Sequence, residues 1–195
     1  MPHGGHKFDS AHRACLDSPE RRGYLDPDGI LSTLGVGPGM VLADVGAGTG
    51  FFTFAAARRV GPGGRVFAVD LAQEMLADVR SKIAKDGGSR VEVVASTEDS
   101  IPLPDRSVDF VFLACVLHEL AGPGTLRECR RILRRQGRVG VVDWHKIDQE
   151  IGPPRAHRLS EAEARALLRR AGFATERVFE AGPYHYGIEA RIAPA

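Results

Sequence analysis

Two clusters of residues in this chain have types and spacing that could do chemistry. One is the run Asp44-Val45-Gly46-Ala47-Gly48-Thr49-Gly50, with Asp70 some twenty residues further on. The other is His118-Glu119. Alternating glycines let a backbone approach a ligand closely, because they adopt conformations that a Cβ would forbid. The run is not a P-loop, which needs four residues between its glycines followed by Lys-Ser/Thr. The dinucleotide fingerprint comes closer, since Gly46 and Gly48 match it. Its third glycine would fall on Phe51, however, whose ring obstructs the helix–strand packing that this glycine serves. Asp44 is also a poor neighbour for a pyrophosphate.

Two carboxylates around a glycine loop suit a ligand with a ribose, no phosphates and a cationic portion. Asp70 can accept from both ribose hydroxyls, and a ligand carboxylate can reach backbone N–H groups where the following helix starts. S-adenosylmethionine has these properties: an adenosine, an ammonium, a sulfonium and one carboxylate. His118 has an intrinsic pKa suited to removing a proton near neutrality. A hydrogen-bonded histidine that only shapes a helix entry is an equal reading of the same residue.

The elements that must position these groups follow from periodicity. Short β-branched runs alternate with amphipathic stretches, the pattern of a parallel sheet with crossover helices. Strands are expected at 40–45, 65–70, 90–95, 107–117 and 138–144, with helices at 51–60, 72–84, 125–135 and 160–173. Ser160 and Glu163 form a capping box. A turn is expected at Asp86-Gly87-Gly88 and a loop at 146–159. Two last strands, at about 174–180 and 185–192, flank Gly182-Pro183 and read as a hairpin, with Tyr184 and Tyr186 on one face and His185 on the other. An open α/β sheet binds ligands beyond the carboxyl ends of its strands, where strand order reverses. His118, just after the fourth strand, falls at that point.

The motifs "VLADVGAGTGFFT", "GGRVFAVDLAQEML", "STEDSIPLPDRSVDFVF", "ECRRILRRQGRVGVVDW" and "EARALLRRAGF" occur in the order found in class I S-adenosylmethionine-dependent methyltransferases. The chain resembles their type-11, ubiquinone/menaquinone-biosynthesis-like subgroup over roughly residues 38–192. That resemblance implies a single Rossmann-like α/β domain: a seven-stranded, mostly parallel sheet with an antiparallel last strand and helices on both faces. It implies a helical lid at residues 1–30, where Tyr24 would lie near substrate, ahead of a methyltransferase domain at 31–195. It further implies that Asp44, Gly46, Ala47, Gly48, Thr49 and Gly50 hold the methionine end of the cofactor. Asp70 would take the ribose, with Leu71 and Met75 near the adenine and Ser96, Thr97 and Glu98 along its edge. Ala114 and Cys115 would pass the methionine portion. The chain departs from many relatives in having Ser96 where they carry an acid and Ala72 where they carry a serine cap.

Composition narrows the partners. The 195 residues are 43% hydrophobic, and 26 basic residues nearly balance 25 acidic ones for a net charge of +1, which argues neither for nor against nucleic acid. Arg127, Arg130, Arg131, Arg134 and Arg135 would share one helix face, but no aromatic platform accompanies them, so nucleic acid is not expected. No run reaches the roughly 20 apolar residues that span a bilayer. Cys15, Cys115 and Cys129 have no metal-like spacing, and His3, His6 and His12 lack accompanying ligands. The N-terminus lacks the apolar core of a secretory signal. The expectation is a cytoplasmic monomer or homodimer that binds no metal and methylates a small molecule, with a thiol or metalloid acceptor or a non-catalytic binding module as alternatives.

Overall fold

The computed structural model describes residues 10–86 and 90–194. A 3-10 turn (Ser10–Asp17) leads into α1 (Pro19–Tyr24) and α2 (Pro27–Thr33). Both helices start on an oxygen-bearing cap followed by proline. Ser18 accepts from the Arg21 N–H and Asp26 from the Asp28 N–H, while Pro19 and Pro27 occupy a position that needs no donor. The β/α alternation then runs β1 (Val41–Val45), α3 (Phe51–Val60), β2 (Arg65–Asp70), α4 (Gln73–Asp86), β3 (Val91–Ala95), β4 (Val108–Ala114), α5 (Gly124–Ile132), β5 (Leu133–Trp144), α6 (Glu161–Arg170), β6 (Phe173–Glu180) and β7 (His185–Ile192). The expected turn at Asp86-Gly87-Gly88 runs into residues outside those described, as do His3 and His6 and the side chain of His12.

The seven strands form one sheet in the order β3-β2-β1-β4-β5-β7-β6, with β7 antiparallel to both of its neighbours. The expected hairpin is present. Side chains alternate between faces along each strand. Ala43, Val45, Val111 and Leu113 join the core on one face with Leu126, Cys129 and Leu168 from α5 and α6. Leu42, Phe110 and Phe112 join the core on the other face with Leu31, Ala55, Ala56 and Val79 from α2, α3 and α4. The strand order reverses between β1 and β4, so their carboxyl ends at Val45 and Ala114 open a crevice.

Two boundaries and one side-chain placement differ from the expectations. The helix expected over 125–135 ends at Ile132, and the strand expected at 138–144 begins at Leu133. Leucine and arginine are both good helix formers, so nothing local stops the helix before Gly137. Tertiary pairing does: Leu133 is extended, fully buried and registered against Val108. Arg134 and Arg135 therefore leave the helix, and the expected five-arginine face does not form. The fourth strand stops at Ala114 rather than running to 117. Cys115 takes a left-handed φ of 58°, and Leu117–Glu119 make a 3-10 turn. Finally, β7 starts at His185, so Tyr184 lies in the turn and packs edge-on to Tyr24, whereas Tyr186 reaches the Leu159 carbonyl in the opposite core.

Candidate functional site

At the strand ends lies a cleft of about 1270 Å3. Every residue singled out from the sequence lines it except Gly50. Gly50 instead caps α3 with φ 93°, where a Cβ would press on the Phe54 ring at 2.6 Å.

One half of the cleft is built largely from backbone. Gly46 and Gly48 both sit at left-handed φ (75° and 54°), and a Cβ on Gly46 would run into the Val116 side chain. The N–H groups of Gly46 and Ala47 donate to the Val69 carbonyl at 2.8 and 3.0 Å. The Gly48 N–H donates to Asp70 Oδ2 at 2.8 Å. These three donors are thus turned toward β2 rather than offered to a phosphate. Asp70 also accepts the Ala72 N–H through Oδ1, at 2.9 Å, which fixes the carboxylate at the cleft edge. Burial raises the Asp70 pKa against the pull of these N–H groups. Asp44 is 2% exposed and accepts from Thr53 Oγ1 at 2.6 Å. Burial pushes its pKa up to about 7, and the Thr53 hydrogen bond offsets only part of that.

Further along this half, Leu71 is 48% exposed at the rim while Met75 is buried. The Ser96 N–H donates to the Asp70 carbonyl, and the Thr125 hydroxyl to the Glu98 carbonyl, which holds the 96–98 segment along the edge. The Thr49 hydroxyl is buried without a partner.

The other half is assembled from side chains on distant segments. His118 follows β4 in the 3-10 turn, with a side chain only 4% exposed. Its Nδ1 lies 2.7 Å from Asp143 Oδ1, and its backbone N–H donates to Asp143 Oδ2 at 3.1 Å. A carboxylate beside Nδ1 draws the proton to that nitrogen, leaving Nε2 as the acceptor of the neutral ring. Burial alone would lower the His118 pKa, but the hydrogen bond and charge of Asp143, with the charge of Glu119, raise it above the ordinary value. Cys115, at the end of β4, is a thiol pushed up to about 12 by burial. Tyr24 and Trp144 wall this half, their ring centroids 6.3 Å apart. The loop Ile151–Pro154 closes it, with Gly152 so near the indole that a Cβ would stand 2.8 Å from it.

Two contributors, Arg21 and Arg158, were not singled out as site residues, and a third, Asp143, was expected only as part of the rim at the end of the fifth strand. Arg21 is only 8% exposed, lays its guanidinium 4.4 Å over the Phe51 ring and donates to the Leu16 carbonyl. The Ser18-Pro19 start of a helix was the readable signal, since it places Arg21 and Tyr24 three residues apart on one face. Asp143 was visible as a strand end, but its pairing with His118 spans 25 residues. Arg158, 2% exposed, donates to the carbonyls of Pro153, His145, Ile147 and Ile151 and so fastens the closing loop.

The residues of the first half fit S-adenosylmethionine. The cleft is lined by the carboxylates of Glu20, Asp44, Asp70, Glu74, Glu98, Asp99 and Glu119, against the single guanidinium of Arg21. That balance favours a ligand carrying positive charge, and the glycine loop leaves the room that side chains would fill.

The comparisons with known proteins agree with this geometry. Residues 43–141 match the type-11 methyltransferase domain. Over 143 residues the chain is 35% identical to an arsenite methyltransferase of Halobacterium salinarum, covering 64% of this chain and 36% of that protein. Over 114 residues it is 35% identical to the ubiquinone/menaquinone biosynthesis C-methyltransferase UbiE of Hahella chejuensis, covering 57% and 46%. The chain thus spans less than half the length of these two curated relatives. A crystal structure of a SAM-dependent methyltransferase from Aquifex aeolicus superposes with a TM-score of 0.93 at 38% identity, covering 96% of this chain and all of that one. The chain belongs to the type-11 methyltransferase-domain family, within the class I S-adenosylmethionine-dependent methyltransferases.

Proposed function

We propose that this chain is an S-adenosylmethionine-dependent methyltransferase acting on a small-molecule acceptor. The observation that carries the reading is that the glycine-and-carboxylate cradle and His118, which is paired behind the wall with Asp143, open into one cleft. When bound, S-adenosylmethionine supplies a methyl group on a sulfonium, an electrophile that needs an aligned nucleophile and no water. Alignment in a closed site is worth about 7–11 kcal/mol of barrier. In our reading Asp44 and the Gly46–Thr49 loop hold the methionine end, and Gly50 starts the helix that follows. Asp70 takes the ribose, and Leu71, Met75 and the 96–98 segment take the adenine. Ala114 and Cys115 border the methyl group. His118 Nε2 removes a proton from the acceptor, and Asp143 fixes its tautomer.

Residues 1–30, of which 1–9 lie outside those described, serve as the lid in our reading, with Tyr24 on the acceptor side. We read the protein as cytoplasmic, a monomer or a homodimer. No described helix is long and apolar enough to cross a membrane. Nucleic acid is disfavoured because the expected five-arginine face does not form and two of its arginines are engaged. Arg131 binds Glu128, Asp105 and two carbonyls, and Arg134 pairs with Asp109. An acceptor held as a thiolate complex is disfavoured by the high thiol pKa of Cys115.

The test is calorimetric titration with S-adenosylmethionine and S-adenosylhomocysteine, followed by detection of S-adenosylhomocysteine release with an acceptor panel. Binding without release for any acceptor would leave a non-catalytic module. No binding of either compound would overturn the whole reading.

A further inference from the structure

S-adenosylmethionine carries an ammonium, a sulfonium and one carboxylate. The cleft is rich in carboxylates for the cationic groups and has a single lining guanidinium, that of Arg21, for the anionic one. The glycine loop offers the carboxylate little. Its Gly46 and Ala47 N–H groups are committed to the Val69 carbonyl, and its Gly48 N–H to Asp70. Uncommitted donors remain where α3 starts. Gly50 caps that helix without a side-chain hydrogen bond, and the first N–H groups of a helix have no intrahelical partner. Beside them the hydroxyl of Thr49, a buried residue that lines the cleft, has no partner either. An uncapped helix start next to an unpartnered hydroxyl is a seat for an anion.

Arg21 completes that seat. Its guanidinium lies 4.4 Å from the centroid of the Phe51 ring, and Phe51 is the first residue of α3. The buried side chain donates to the Leu16 carbonyl at 2.9 Å, and among the described residues no carboxylate forms an ion pair with it. Burial raises the pKa of both Asp44 and Cys115, and the charge of Arg21 pulls against it at both. The guanidinium thus stands at the seam between the ends of β1 and β4. A buried guanidinium without a counter-ion is costly, and a carboxylate relieves that cost. The segment ahead of α1 is fastened in place. Arg13 pairs with Asp78 of α4 at 2.8 Å, and Lys82 of α4 pairs with Asp17 at 2.6 Å. The Lys82 ammonium also donates to the Thr49 carbonyl at 2.7 Å, so this segment and the glycine loop share one anchor.

Resting on the methyltransferase reading above, we propose that Arg21 is the counter-ion of the donor's carboxylate and selects a donor that carries one. Arg21 receives this group together with the first-turn N–H groups of α3 and the Thr49 hydroxyl. A ligand lacking the carboxylate leaves the guanidinium buried and unpaired and binds more weakly for that reason. Arg22 approaches the same ring at 5.1 Å, but it is exposed and does not line the cleft, so it has no part in the selection.

Calorimetric titration with S-adenosylhomocysteine and with S-adenosyl-3-thiopropylamine, the same thioether without its carboxylate, tests this. The wild type should bind the first tighter by about tenfold or more, the worth of a charge-assisted pair. Arg21→Gln should weaken S-adenosylhomocysteine by about tenfold or more while leaving the amine within about threefold, which closes the gap. Arg21→Lys, which keeps the charge without the planar fork, should retain part of the gap. Arg22→Gln should leave both affinities within about twofold, as an exposed cation does. Near-ultraviolet circular dichroism verifies that each variant is folded. Equal weakening of both ligands by Arg21→Gln marks a packing role and overturns this inference alone. So do a wild type that does not tell the two ligands apart, an unchanged S-adenosylhomocysteine affinity in Arg21→Gln, or an equal effect of Arg22→Gln. If Arg21→Gln does not fold, Arg21→Lys decides, and a gap no smaller than that of the wild type overturns the inference. Failure of the wild type to bind S-adenosylhomocysteine would overturn the cofactor reading beneath it, and this inference with it.

Discussion

The two halves of the cleft, which we read as the cofactor half and the acceptor half, meet at the same strand ends but are made differently. The first is a stretch of backbone. Its shape comes from glycines at φ values that other residues adopt only under strain, and its charge from carboxylates at the ends of two adjacent strands, Asp44 and Asp70. The second is a convergence of side chains from α1, the turn after β4, the end of β5 and the loop that Arg158 fastens. The first is net negative, and the second sets Asp143 and Glu119 beside His118 with the buried guanidinium of Arg21 over Phe51. A cleft divided in this way can hold two ligands side by side without either competing for the other's place. Variants in one half should therefore leave the other half's ligand untouched, except at Arg21, which stands at the seam.

The largest effect is expected from His118→Ala. Loss of a positioned base costs about 10²–10⁴-fold in rate. In our reading S-adenosylhomocysteine affinity, measured by calorimetry, stays within twofold. A parallel loss of cofactor affinity would merge the two halves. Gly46→Val should do the reverse. Its Cβ meets Val116 at a left-handed φ, and strain of about 1–3 kcal/mol translates to roughly 5–150-fold weaker cofactor binding. Some of that strain will also appear as a lower melting temperature.

Asp143→Asn sharpens the comparison through pH. In the wild type Asp143 and Glu119 raise the His118 pKa, so the acid limb of the rate profile should lie above the ordinary histidine value of about 6.5. Without the Asp143 charge, burial dominates and the limb should move to lower pH, while the rate falls about tenfold or more because the tautomer is no longer fixed. A rate loss with no movement of the limb would reduce Asp143 to a packing role.

Asp44→Asn probes the cofactor half by stability. A buried carboxylate with a pKa of about 7 binds a proton more readily in the folded chain than in the unfolded one. The fold accordingly loses stability as pH rises from about 4 through 7. The asparagine variant should be more stable than the wild type at pH 8, by on the order of 1–3 kcal/mol, and little different at pH 4. Paired thermal melts of the ligand-free protein at the two pH values check this. The smallest effect is expected from Arg158→Lys, which replaces a planar fork on four carbonyls with a single ammonium. Acceptor KM should rise a few-fold, roughly the loss of one or two hydrogen bonds to the closing loop, with cofactor affinity unchanged.

How far the sequence could be read differs between these regions for a physical reason. β1, β2, the Ser160–Glu163 capping box and the β6–β7 hairpin follow from short-range signals: apolar runs, a local hydrogen bond, a Gly-Pro turn. The end of α5 does not. Leu133 and Arg134 are as good in a helix as in a strand, and only the registry of Leu133 with Val108 decides between them. Cys115 is similar, since its left-handed backbone comes from the turn that delivers His118, not from its own preference.

The sequence by itself determined the glycine loop and the strand-end carboxylates beside it, because glycine conformations and strand ends are local properties, although only the pairing of β1 with β2 brings the Gly48 N–H to Asp70. Only the tertiary structure decided what faces that cradle. It brought Asp143 to His118, buried Arg21 over Phe51 and placed Arg158 beneath the closing loop. Such contacts depend on sheet order and helix docking, which bring together residues whose individual types give no hint of their partners.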